Sequence, residues 1–60
     1  MDAVTPQRQA SMRLVGKGKE LLRAGDADRA ASVLMDAVNV DSSNGVAYYY
    51  LAVASAKQGK

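Results

Sequence analysis

Apolar residues recur along this chain at helical spacing. Leu14, Leu21 and Leu22 form one stripe, and Ala30, Ala31, Leu34, Ala37 and Val38 form a second. Steps of three and four residues place such side chains on one face of a helix. A third stretch, residues 46–56, has no charged side chain on any side. No segment alternates apolar and polar positions as a half-buried strand does. The pattern predicts an all-α fold: an antiparallel helical hairpin plus a third helix.

Capping chemistry sets the expected boundaries. Thr5 suits an N-cap and Pro6 the first helical position, where a missing amide is harmless, so the first helix is predicted over about residues 6–23. Gly25 suits the C′ position, where the chain turns left-handed and a Cβ would clash. Asp26 suits the next N-cap, its carboxylate accepting from exposed amides of a second helix over about residues 28–40. With so little chain between the stripes, the two helices fold back on each other. The third helix is expected over about residues 44–58.

Within the first helix, Gly16 and Gly18 each weaken the backbone by roughly 1 kcal/mol relative to Ala. Gly18 has a packing reason, because a small residue lets the partner helix come close; Gly16 has none. Their Gly-x-Gly spacing lacks the strand and the longer frame of a phosphate loop. In the second helix Ala30, Leu34, Ala37 and Val38 are expected to face the first, with Arg29, Ser32, Asp36 and Asn39 solvated and Val33 and Val40 off the stripe.

Counted from Ser11 as first position, Leu14 takes an early large position, Gly18 a small one, Leu21 the next large one and Gly25-Asp26 the turn. Ala30, Leu34 and Ala37 then alternate small, large and small, and Asn39-Val40-Asp41-Ser42-Ser43-Asn44 forms the exit. A second unit opens at Gly45, with Tyr48 at the aromatic position, Leu51 and Ala52 as a close-packing pair and Gly59 at the turn. This arrangement resembles the tetratricopeptide repeat, a helix–turn–helix unit of about 34 residues. Ser42 stands where the family usually has Pro, Lys17 where it has Leu, and Ser55 where a large residue is usual. On this reading residues 1–10 are a polar lead and the start of the first helix. Residues 11–44 are one unit, and residues 45–60 are the first helix of a second, incomplete unit.

Composition narrows the chemistry. The 60 residues include no cysteine and no histidine and carry a net charge of +2. Disulfides, thiolate metal sites and the commonest general base are therefore excluded. The charge is too small to demand a polyanionic partner. Asp26 and Asp28 read as a capping carboxylate beside a first-turn carboxylate rather than a metal pair. Asp36 and Asp41 are too far apart to form an acid–base dyad. No catalytic site, cofactor or metal is expected. Residues 1–8 lack the apolar run of a secretory signal, and residues 46–56 are far shorter than the ~20 needed to span a bilayer. No membrane span is expected.

The resemblance implies a non-catalytic protein–protein interaction module. In that family the first helices of successive units line a concave groove that holds a partner's peptide or helix. Carried over by position, the groove comprises Met12, Val15, Lys19, Leu22 and Arg23, then Val46, Tyr49, Tyr50, Val53 and Lys57. The surface is apolar and aromatic with a basic rim, suited to an apolar, acid-flanked partner segment. The family's clamp for a C-terminal carboxylate is not expected, since its positions hold Val15, Lys19, Val46 and Tyr50, of which only Lys19 is basic. Tyr48 is expected to pack between units, whereas Tyr49 and Tyr50 suit either recognition or packing.

Two other classes compete. A helix apolar all round is normally covered all round, so Val46, Tyr49, Tyr50, Val53 and Ala56 need a further surface. Self-assembly or scaffolding through the third helix, as a homo-oligomer, would supply one. A helix-turn-helix reader of DNA is the third class. It is disfavoured because the third helix lacks Arg, Lys, Asn and Gln until Lys57, while the basic residues cluster on the first. No nucleic-acid partner is expected.

Overall fold

The computed structural model describes residues 5–59. It contains three α-helices, α1 (Pro6–Arg23), α2 (Ala27–Val40) and α3 (Gly45–Lys57), with no strand among the described residues. Residues 1–4 of the expected polar lead, and Lys60, lie outside the described residues.

Each boundary has a side-chain or backbone cause. The Thr5 hydroxyl accepts from the Arg8 amide at 3.0 Å, and Pro6 opens the first turn of α1. At the other end Gly25 adopts φ +84°. Its amide donates to Leu22 O at 3.0 Å and the Asp26 amide donates to Leu21 O at 2.8 Å, the paired bonds of a Schellman exit. Asp26 also opens α2, its carboxylate accepting from the Arg29 amide at 3.1 Å. One short joint thus satisfies the exposed carbonyls of one helix and the exposed amides of the next. α2 begins at Ala27, one residue before the sequence expectation, because Asp26 caps from immediately outside the helix.

Asn44 opens α3, its Oδ1 accepting from the amides of Val46 and Ala47 at 3.1 and 3.2 Å. Gly59 closes it at φ +76°, donating to Ala56 O at 3.1 Å. The residues 44–58 expected as helix are therefore the helix plus its two caps.

α2 lies against both α1 and α3, and those two also meet. The core holds Val15 of α1, Ala30, Leu34, Ala37 and Val38 of α2, and Ala47 and Ala54 of α3. Leu14, Leu21, Leu22, Ala31, Tyr50 and Leu51 pack around it. Leu34 is fully buried, and its approach to α1 depends on Gly18: a Cβ there would stand 2.6 Å from Leu34 Cγ. Gly16 faces open space, so its small size serves no contact.

Polar bonds tie the helix ends together. Asn44 Nδ2 donates to Ser11 Oγ, and Ser11 Oγ donates to Ala37 O, both at 2.8 Å and both buried. Outside this buried chain, the Arg8 guanidinium donates to Asp41 and, at 3.0 Å, to Ser43 Oγ. At the opposite end Gln58 donates to Asp28 at 2.8 Å. Among the described residues no buried side-chain nitrogen or oxygen lacks a partner, as a small core requires.

Two packing expectations for α3 are corrected. Tyr48 is 49% exposed and Ala52 is exposed, so neither packs between elements of the described chain. α2 instead meets the face of Ala47 and Ala54, with Leu51 beside them. Successive helical residues are rotated by about 100°, which carries Tyr48 away from that contact. No helix of the described residues is long and apolar enough to cross a membrane.

Candidate interaction face

α1 and α3 run in the same direction on one side of the bundle, because each is antiparallel to α2. Between them three of the expected groove residues, Lys19, Tyr49 and Tyr50, are in direct contact. The Lys19 ammonium sits over the Tyr50 ring, 5.5 Å from its centroid. Tyr49 meets the same ring edge-on, with centroids 5.0 Å apart and planes at 79°. Tyr50 is half-buried against the core, and Tyr49 is 63% exposed beside it. A cation, a fixed ring and an open ring thus form one contact series across the α1–α3 seam.

The remaining positions sort by exposure. Met12 and Val46 are exposed at the N-terminal end of the seam, where Met12 Sδ lies 3.5 Å from Asn44 Nδ2. Val53 is half-buried, and so is Leu22, which packs against the core. Arg23 and Lys57 are exposed in the last turns of α1 and α3. Val15 is corrected. At 2% exposed it belongs to the core and offers no side chain to a partner. Its place in the helical repeat, four residues after buried Ser11 and three before buried Gly18, turns it inward.

Among the described residues, the charges nearest this face are mostly basic. α3 contains no carboxylate, and Glu20 of α1 reaches only toward Arg23, at 4.0 Å with both side chains largely exposed. Such an exposed pair fixes little. Lys19, Arg23 and Lys57 therefore present a basic edge beside Met12, Val46, Tyr49 and Val53. Beyond the N-terminal end of the seam, Asp41 is held below its ordinary value of 3.8, first by the Ser43 hydroxyl and then by the Arg8 guanidinium. That carboxylate is committed to the loop between α2 and α3.

A concavity lies on another flank. Lys17 and Leu21 of α1 with Arg29, Ser32 and Val33 of α2 line an open depression of about 250 Å³. It includes none of the expected groove residues, and Arg29 there is drawn toward Asp26 at 3.5 Å.

Comparison of the chain with protein-family models, with curated proteins and with solved structures finds no match. Residues that order the face from beneath were missed from sequence. Ser11 and Asn44 fix the start of α3 against α1, and Arg8 with Asp41 fixes the loop before it. Asn44 before a glycine and an apolar run is a visible N-cap signal. Its second bond, 33 residues away in sequence, has no local signature.

Proposed function

We propose that this chain is a tetratricopeptide-type helical unit that works without catalysis as a protein–protein interaction module. It buries an apolar, acid-flanked segment of a partner against α1 and α3. The observation that carries this reading is the Lys19–Tyr50–Tyr49 series, flanked by exposed Val46 and Met12. Tyrosine offers a large contact area and a hydroxyl at low entropic cost. Tyr50 is already held by the core, so less freedom is lost when a partner lands on it. The Lys19–ring contact, worth about 0.5–1 kcal/mol at an exposed site, keeps the ammonium at the edge of the apolar surface, where it can meet a carboxylate.

Calorimetric titration tests the reading with two peptides. One is a Leu/Ala-rich segment with glutamates at both ends, and the other is the same segment with lysines at both ends. The glutamate peptide is expected to bind, to bind more weakly in high salt, and to lose affinity to Lys19→Ala and to Tyr49→Ala. Equal binding of both peptides, or of neither, would overturn it.

A further inference from the structure

Asn44 is followed by Gly45, which has no side chain to shield the Asn44 carboxamide from the next backbone nitrogen. In an Asn-Gly pair that nitrogen can attack the side-chain carbon, one reason asparagine counts among the thermolabile residues. The fold makes no demand for glycine at this position. Gly45 opens α3 without the positive φ of Gly25 and Gly59, and a Cβ on it would meet nothing within 4 Å. The Asn44 carboxamide, in contrast, is engaged at both ends. Its Oδ1 accepts from the amides of Val46 and Ala47, and its Nδ2 donates to Ser11 Oγ at 2.8 Å. The residue is 1% exposed. While α3 is docked, the reactive carbon is therefore held in place and closed to water.

We propose that Asn44-Gly45 is a latent modification site, kept closed by the tie to Ser11 and opened when the start of α3 leaves α1. In the opened chain hydroxide takes the Gly45 amide proton, and the nitrogen attacks Asn44 Cγ. A C–N bond forms, the Cγ–Nδ2 bond breaks, and the carboxamide nitrogen takes a proton from water and leaves as ammonia. Hydroxide is regenerated, and a second water opens the succinimide ring to aspartate or isoaspartate at position 44. Neither product restores the tie. Aspartate turns an acceptor toward Ser11, whose hydrogen is committed to Ala37 O. Isoaspartate lengthens the main chain by a methylene and draws the cap away from the Val46 and Ala47 amides. Each opening therefore exposes the chain to a one-way loosening of α3, the helix that carries Tyr49 and Tyr50. The proposal rests on the Asn44–Ser11 geometry and is independent of what binds the seam.

Peptide mapping by mass spectrometry tests it, on the whole chain held in mildly alkaline buffer with and without urea. In urea Asn44 should convert to a mixture of aspartate and isoaspartate with release of ammonia. Without urea the conversion should be slower by roughly tenfold or more, since it waits on local opening. Asn39, exposed but followed by the branched Val40, should keep its amide in both buffers. Gly45→Ala should fold, by circular dichroism, and should suppress conversion in urea. Ser11→Ala removes the tie and should speed conversion of the folded chain by about fivefold or more. Gly25→Ala, which weakens the hairpin away from the site, should speed it less. Should Ser11→Ala fail to fold, the unsubstituted chain with and without urea still decides. Equal conversion in the two buffers, no conversion in urea, conversion of Gly45→Ala as fast as the unsubstituted chain, or a folded Ser11→Ala no faster than Gly25→Ala would each overturn the proposal.

Discussion

Asn44 and Ser11, 33 residues apart, share a 2.8 Å hydrogen bond that is closed to solvent, and through it three helices meet at one point. Asn44 caps α3 with its oxygen and reaches α1 with its nitrogen, while the Ser11 hydroxyl passes its own hydrogen to the Ala37 carbonyl near the end of α2. Asparagine is the side chain that can accept at one atom and donate at the other in this geometry.

Replacing Asn44 separates its two roles. Asn44→Ala removes the cap and leaves Ser11 short of a donor, and should cost about 2–3 kcal/mol. Asn44→Asp keeps an equally good cap yet turns an acceptor toward Ser11, whose hydrogen is already committed. It should still cost about 1–2 kcal/mol. Urea denaturation at neutral pH measures both. Full stability in Asn44→Asp would reduce the residue to a simple cap.

Two glycines two positions apart should respond with opposite signs. Gly18→Ala drives a methyl to 2.6 Å from Leu34 Cγ and should destabilise by about 1–3 kcal/mol. Gly16→Ala meets nothing within 4 Å and should stabilise by about 0.5–1 kcal/mol. For a chain of this size each kcal/mol moves the thermal midpoint by about 4–8 °C, so melts resolve both changes. Gly25→Ala, at φ +84°, should destabilise by about 1 kcal/mol through backbone conformation alone.

The hairpin was legible because its signals are local. Thr5-Pro6, Gly25-Asp26 and the Ala30–Leu34–Ala37 stripe each state a cap, a turn or a face within a few residues. Gly18 was legible for the same reason, its spacing placing it on the side that faces α2. The polar ties of Ser11 to Asn44 and of Arg8 to Asp41 were not. Serine and arginine suit an exposed helix surface equally well, and only the packed arrangement selects their partners. α3 was half legible. Its uniform apolarity announced a surface needing cover but gave no hydrophobic face from which to tell which side α2 takes. Read from sequence, Tyr48 therefore falls to packing although it is exposed, and Val15 to the groove although it is core.

Acid should probe the loop between α2 and α3. Asp41 has a lowered folded-state value, caused first by the Ser43 hydroxyl and then by Arg8. Its unfolded form therefore takes up a proton at higher pH than its folded form. The stability it supplies is complete above its ordinary value of 3.8 and is lost as pH falls through the lowered folded value. Asp41→Asn should be less stable than the parent at neutral pH, and the gap should narrow below pH 3.8. Melts of the two proteins across that range measure the difference, and a constant gap would contradict the assignment.

Lys19 should matter to binding more than to folding. Its side chain contacts Tyr50 from an exposed position, so Lys19→Ala should change stability by less than about 1 kcal/mol. The same substitution should weaken capture of the glutamate-ended peptide, and Lys19→Glu should weaken it further. Comparing the unfolding midpoint with the titration constant for each variant separates the two effects.

The most direct measurement is a map of backbone amide shifts in the whole chain as the glutamate-ended peptide is added. Changes are expected to centre on Met12, Lys19, Val46, Tyr49, Tyr50 and Val53, with α2's outer face around Ser32 and Asp36 unmoved. Changes centred on the depression of Lys17, Arg29 and Val33, or spread evenly over the chain, would contradict the partner-binding reading.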